Sequence, residues 1–232
     1  MRVNRDGLII SIVLAALTVG GCAPPTASSD AAAQAQVSPD GVPEFVAEVA
    51  PVTDAELGAS WRPGCPVDPE DLRRLTLRHW GFDDRPHLGT IIVHETVVAE
   101  VRTAFATLYR ERFPIRRMVP VDHYDGDDDR SMADDNTSGF NCRAAVADGP
   151  TRWSAHAYGR AIDINPVENP YLLGDRVLPP TGTAYADRGD HRPGMAVPGS
   201  VPVAAFEAVG WSWGGAWGSP DYQHFHRTDE KA

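Results

Sequence analysis

The sequence is poor in positive charge. Lys and Arg number 21 against 32 Asp and Glu, and the net charge is −11. That balance excludes nucleic acid as a partner, because phosphates are met by Lys and Arg. Long hydrophobic runs are missing too. The apolar stretch Leu8–Val19 falls short of the ~20 residues that a membrane-spanning helix needs. Cysteine occurs three times, so at most one internal disulfide can form. The acidic run Asp122–Asp135 lacks the closing Glu of an EF-hand loop, which leaves a solvated loop as its expected role. Glycine (21) and proline (20) are plentiful, which predicts many loops. The 232 residues suffice for one domain with a real core.

The first segment reads as an export signal. Arg2 and Arg5 precede the apolar run, which ends at Val19-Gly20-Gly21-Cys22. Small residues directly before a cysteine resemble the bacterial lipoprotein signal, in which Cys22 is lipidated and becomes the new N-terminus. An ordinary secretory peptide is the alternative. Residues 1–22 are thus assigned to the signal. Residues 23–60, rich in Ala, Pro and Ser, are expected to form a flexible tether. As a coil it would span about 30–35 Å on average. A helix over Glu44–Leu57, packed on the domain, is the competing expectation. Residues 61–232 form the folded domain.

Within that domain, Asp68 and Pro69 start a short helix. Leu75–Trp80 and Thr90–His94 alternate as the two strands of a hairpin. Val97, Val101, Phe105 and Leu108 repeat at helical spacing in the helix 97–112, which Pro114 ends. Ile115–Val121 reads as a further strand, Val203–Val209 as a short helix, and 165–171 and 177–190 as loops. The fold class is α+β, a small antiparallel sheet with a few helices packed on it.

The chemistry centres on Trp153–Pro166. His156 stands seven residues before Asp163, with Gly159 placed for a tight turn. The run Arg160–Asn165 alternates, so Ile162 and Ile164 face a core while Asp163 faces the other way. Near the C-terminus, Asp221-Tyr222-Gln223-His224-Phe225-His226 offers a third ligand, His224, with Asp221 three residues before it. Two His and one Asp leave a fourth position for water, the arrangement of catalytic zinc.

SAHAYGRAID (154–163) and DYQHF (221–225) resemble the two signatures of the zinc D-alanyl-D-alanine carboxypeptidase and L-alanyl-D-glutamate endopeptidase family, the VanY-type cell-wall peptidases. The resemblance implies one zinc ion on His156, Asp163 and His224, with Asp221 as catalytic acid/base. Many members carry Glu where this chain has Asp221. It implies a fold like that of Hedgehog and the D-Ala-D-Ala peptidases, with the zinc at the sheet face. Arg143, thirteen residues before His156, matches the family's substrate-binding arginine, and Ser138 is expected to add a hydrogen bond to substrate. His226 shares a strand face with His224 and is expected near the metal, either hydrogen-bonding around the ligands or in contact with substrate. With Cys22 lipidated, Cys65 and Cys142 are expected to form a disulfide, as two cysteines of an exported domain most often do, worth about 4 kcal/mol. The implied activity is hydrolysis of peptidoglycan stem peptides, either at the terminal D-alanine or between L-alanine and D-glutamate. The alternative is a non-catalytic zinc-containing module that binds the cell wall. The expected setting is a monomer on the outer side of a bacterial cytoplasmic membrane, held by its lipid and facing the wall.

Overall fold

The computed structural model describes residues 41–146 and 151–227, all within the unit 37–232. The expected signal and Cys22 lie outside them.

Strands β1 (Ala47–Pro51), β2 (Leu72–Trp80) and β3 (Pro86–His94) make an antiparallel sheet in the order β1-β2-β3. β2 and β3 form the expected hairpin, with Leu75 opposite Ile91 and Trp80 opposite Pro86. Side chains alternate across a strand, and both faces are used. Leu75, Leu77, Ile91 and Val93 enter the main core. Leu72 and Ile92 point the other way, into a second cluster with Leu57, Phe140 and Cys142.

β1 corrects the expected tether. From residue 41 the segment belongs to the fold, and Ala47–Pro51 is a strand, not a helix. The physical reason is the free edge of β2, whose backbone groups need partners. β1 supplies them from Ala47↔Leu77 to Pro51↔Arg73. A short helix α1 (Asp54–Leu57) follows, started by a capping box between Thr53 and Glu56. Its Leu57 is buried in the second cluster.

Helix α2 (Val98–Arg110) buries Val101, Phe105 and Leu108, the predicted stripe, together with Ala104 and Tyr109. It packs on β2 and on helix α4 (Val201–Glu207). The segment 115–121 is not a strand of a sheet. It runs alongside the first sheet through single contacts, such as Ile115 N–H to Trp80 C=O at 2.8 Å and Thr90 N–H to Met118 C=O at 2.8 Å. Asp68–Asp71 makes only one turn of 3₁₀ helix, Pro69–Asp71.

The acidic run is built in, not merely solvated. Asp122 accepts from Ala59 N–H at 2.6 Å. Asp127 caps helix α3 (Asp128–Ala133), and Asp134 accepts from the Tyr124 hydroxyl at 2.6 Å.

A second antiparallel sheet has the order β4-β8-β7, from β4 (Ala161–Asp163), β7 (Ser212–Trp213) and β8 (His224–His226). The hairpin β5 (Tyr171–Leu173) and β6 (Arg176–Leu178) was not expected, and its ends fall in the segments 165–171 and 177–190 read as loop. Ile162, Ile164, Trp213 and Phe225 join the main core. The fold is α+β, with small antiparallel sheets and few helices.

Candidate metal centre

His156 sits in a single 3₁₀ turn, Ala155–Tyr158. Ser154 caps it by accepting from His156 N–H, and Gly159 closes it in the left-handed region at φ +64°. A Cβ there would meet His94 N at 2.6 Å, so the turn needs glycine on both counts. The Gly159 carbonyl accepts from His94 N–H at 2.8 Å, which fastens the turn to the end of β3.

Asp163 and His224 are direct partners across β4 and β8, and so share a face; Ala161 and His226 are the next such pair. Phe225, between the two histidines, turns into the core and stacks on Phe206 at 4.6 Å. The alternation read from the sequence therefore puts both ligands on the side away from the core.

The three side chains converge. His156 Nε2 lies 3.1 Å from Asp163 Oδ2 and 3.1 Å from His224 Nδ1, and His224 Nδ1 lies 3.0 Å from Asp163 Oδ1. All three residues are buried, and they form one possible metal-holding group. The donor set fits zinc. Ligands about 2.0–2.1 Å from a tetrahedral ion lie about 3.3 Å apart, close to these separations. The protonation pattern fits as well. His156 Nδ1 is 2.6 Å from the Gly139 carbonyl, which can only accept, so in the neutral ring Nδ1 carries the hydrogen. Nε2 then presents a lone pair to a carboxylate oxygen, an arrangement that a cation between them resolves. Burial disfavours charge on Asp163, but the two imidazoles outweigh it and hold the carboxyl well below the usual range. Burial pushes His224 toward its neutral, ligating form.

Asp221 is brought to the site by a turn. Its N–H donates to Gly214 C=O at 3.1 Å, and its own C=O accepts from His224 N–H at 3.3 Å. Gly214 allows this approach, since a Cβ there would meet Asp221 O at 2.8 Å. Asp221 Oδ1 is buried and has no hydrogen-bond partner among the described residues. Burial, then the negative charge of Asp163, pushes its pKa well up, while Arg143 opposes.

Arg143 lines the same cleft. Its Nε lies 2.8 Å from Asp128 Oδ1, as an ion pair without an aligned hydrogen bond. Burial works against its charge, but Asp128, Asp163 and Asp221 together favour it. His226 also lines the cleft, stacked on His224 at 5.3 Å and beside Trp217 at 5.4 Å. Burial and the two neighbouring imidazoles push it down to about 4, and it stands outside the converging group.

Ser138, expected at the substrate, is buried and is not among the residues lining the cleft. Its backbone instead holds Asp163, through reciprocal N–H to C=O bonds of 3.0 and 2.9 Å. Cys65 and Cys142 are joined in a disulfide, with Cα atoms 5.9 Å apart, immediately before Arg143. The sequence reading missed the Gly139 carbonyl and the Asp128 partner of Arg143. Only Asp128 had a signal, and it was submerged in a longer acidic run.

The cleft holds about 840 Å³ and is walled by the β5–β6 hairpin, Trp217 and the segment around Trp153. No curated protein and no solved structure matches the chain. Residues 147–227 match the family model described as D-alanyl-D-alanine carboxypeptidase, a stretch shorter than half of the chain that nevertheless holds His156, Asp163, Asp221 and His224. That match supports the family the two motifs resemble, and with it a peptide-bond hydrolase of the bacterial cell wall.

Proposed function

We propose that the chain is a zinc metallopeptidase that cuts peptidoglycan stem peptides, as a D-alanyl-D-alanine carboxypeptidase or an L-alanyl-D-glutamate endopeptidase, on a Hedgehog/D-Ala-D-Ala-peptidase-like fold. The supporting observation is the convergence of His156, Asp163 and His224 within 3.0–3.1 Å of one another, with an unpartnered Asp221 oxygen in the same cleft.

Zinc held by these three side chains would supply a Lewis acid and a water made acidic enough to attack at neutral pH. Asp221, at its unpartnered oxygen, would take a proton from the attacking water and pass it to the leaving amine. Arg143, kept charged by three carboxylates, stabilises the negative charge that develops on the scissile carbonyl oxygen. His156 holds its orientation through Gly139. His226, uncharged at neutral pH, faces the substrate as a hydrogen-bonding ring. The enzyme works outside the cell as a monomer, tethered by a lipid on Cys22 to the outer face of the cytoplasmic membrane.

The test is a pair of variants. Asp221→Ala should keep zinc by elemental analysis and lose about 10²–10⁴-fold in cleavage of purified muropeptides. His156→Ala should lose both zinc and cleavage. A fully zinc-loaded wild type that cuts no stem peptide establishes the cell-wall binding module instead.

A further inference from the structure

The β5–β6 hairpin has no counterpart among the motifs, yet it is docked beside the acid. Tyr171 is bridged to Asp221 on one side and paired with Leu178 on the other, and Leu172 N–H donates to Pro220 C=O at 2.8 Å. Directly opposed residues of antiparallel strands point to the same face. Asp221, Tyr171 and Leu178 therefore share a face, and so do the next pair, Leu173 and Arg176. All five line the cleft, whereas Leu172 and Val177 do not. The wall beside Asp221 is thus a half-buried apolar platform ending in one exposed cation.

Among the described residues Arg176 makes no ion pair and no side-chain hydrogen bond. Two other arginines line the cleft: Arg143, paired with Asp128 and assigned above to the scissile carbonyl, and Arg152, which lies just before Trp153 and not on this hairpin. Arg176 is two residues along the hairpin from the Asp221 rung, about 7 Å, and two strands across. Its backbone is therefore roughly 12 Å from that of Asp221. This is too far for the group attached next to the scissile bond. It suits a charged side chain carried two residues away on an extended peptide, which advances about 3.3–3.6 Å per residue.

A stem peptide runs L-alanine, D-glutamate, diamino acid, D-alanine, D-alanine. Either cut leaves the diamino acid second from the broken bond: on its amine side, beyond a γ-linked D-glutamate, when the cut follows the L-alanine, and on its acyl side when it falls between the two D-alanines. Its far end is a bare ammonium in lysine, but carries a carboxylate as well in diaminopimelate. Arg176 attracts the carboxylate and repels the lone ammonium. We propose that Arg176 is a specificity-determining residue that selects stems whose third residue ends in a carboxylate, with Leu173 and Leu178 seating the aliphatic part of that side chain. This rests on the peptidase reading above.

Two soluble stem peptides, identical except for diaminopimelate or lysine at the third residue, provide the test. Their kcat/KM values are compared in the wild type, Arg176→Gln and Arg176→Glu. The wild type should favour diaminopimelate by roughly tenfold, as expected for an exposed charge pair exchanged for a repulsion. Arg176→Gln should bring the ratio near one, and Arg176→Glu should invert it. An inversion cannot come from a merely structural effect of the exposed hairpin. An equal ratio in all three proteins overturns the assignment of Arg176 while leaving the peptidase intact. A zinc-loaded wild type that cuts neither peptide overturns the peptidase reading, and this inference with it.

Discussion

Glu168 should make the stability of this protein fall as the pH rises. It follows β4 and is only 2% exposed. Arg116 lies 3.5 Å from its Oε1, and the Tyr185 hydroxyl donates to that oxygen at 3.5 Å. Arg188 donates to its backbone C=O at 2.7 Å. Asp135 faces it, and accepts from Val167 N–H at 2.8 Å. The other carboxyl oxygen, Oε2, is buried without a hydrogen-bond partner. Burial, then a shared hydrogen bond and the charge of Asp135, push Glu168 up to about 8 from the ordinary 4.5, against the pull of its own backbone amide and Arg116. The folded pKa is therefore above the unfolded one. The stabilisation is complete below about pH 4.5 and is lost as pH rises through about 8. Each tenfold step in proton affinity is worth about 1.4 kcal/mol, so the loss between pH 5 and pH 8 is on the order of 3 kcal/mol. Glu168→Gln keeps the shape and removes the proton. In denaturant titrations the variant should gain on the wild type by about that amount across this range, or roughly 10 °C in melting temperature. A stability difference between the two proteins that does not change from pH 5 to pH 8 refutes the reasoning.

Two further outcomes follow from the packing around the site. Gly214→Ala would place a Cβ 2.8 Å from Asp221 O and 3.3 Å from His224 Cβ. It should lower peptide cleavage at least tenfold while zinc content, read by elemental analysis, falls much less, because the turn carrying Asp221 must shift. Breaking the Cys65–Cys142 bridge by Cys65→Ser closes off a link spanning 77 positions. The cost in unfolding free energy should be about 4 kcal/mol, and an unchanged denaturation midpoint contradicts it.

What the sequence made legible was local periodicity. Val101, Phe105 and Leu108 repeat at helical spacing and are buried as read. Ile162 and Phe225 mark the inward faces of β4 and β8, so Asp163, His224 and His226 had to share the outward face. The converging trio His156, Asp163 and His224 was visible because its members lie in two short motifs, SAHAYGRAID and DYQHF, that resemble a known family's signatures. Features made by contacts distant in sequence were hidden. β1 looks like tether because its strand is fixed by the edge of β2, not by its own composition. The β5–β6 hairpin lies in a stretch rich in proline, and each of its strands is only three residues long, too few to display alternation. Ser138 looked like a polar contact to substrate, yet its backbone is what matters. Asp128 could not be told from its acidic neighbours until Arg143 was placed beside it.

The two halves of the candidate metal centre are anchored on separate sheets. His156 hangs from the end of β3 through Gly159 and Gly139, while Asp163 and His224 belong to β4 and β8. An ion gripped by all three would consequently be a rivet across that seam. A chain that acquires its ion late would then complete its architecture at the moment of loading.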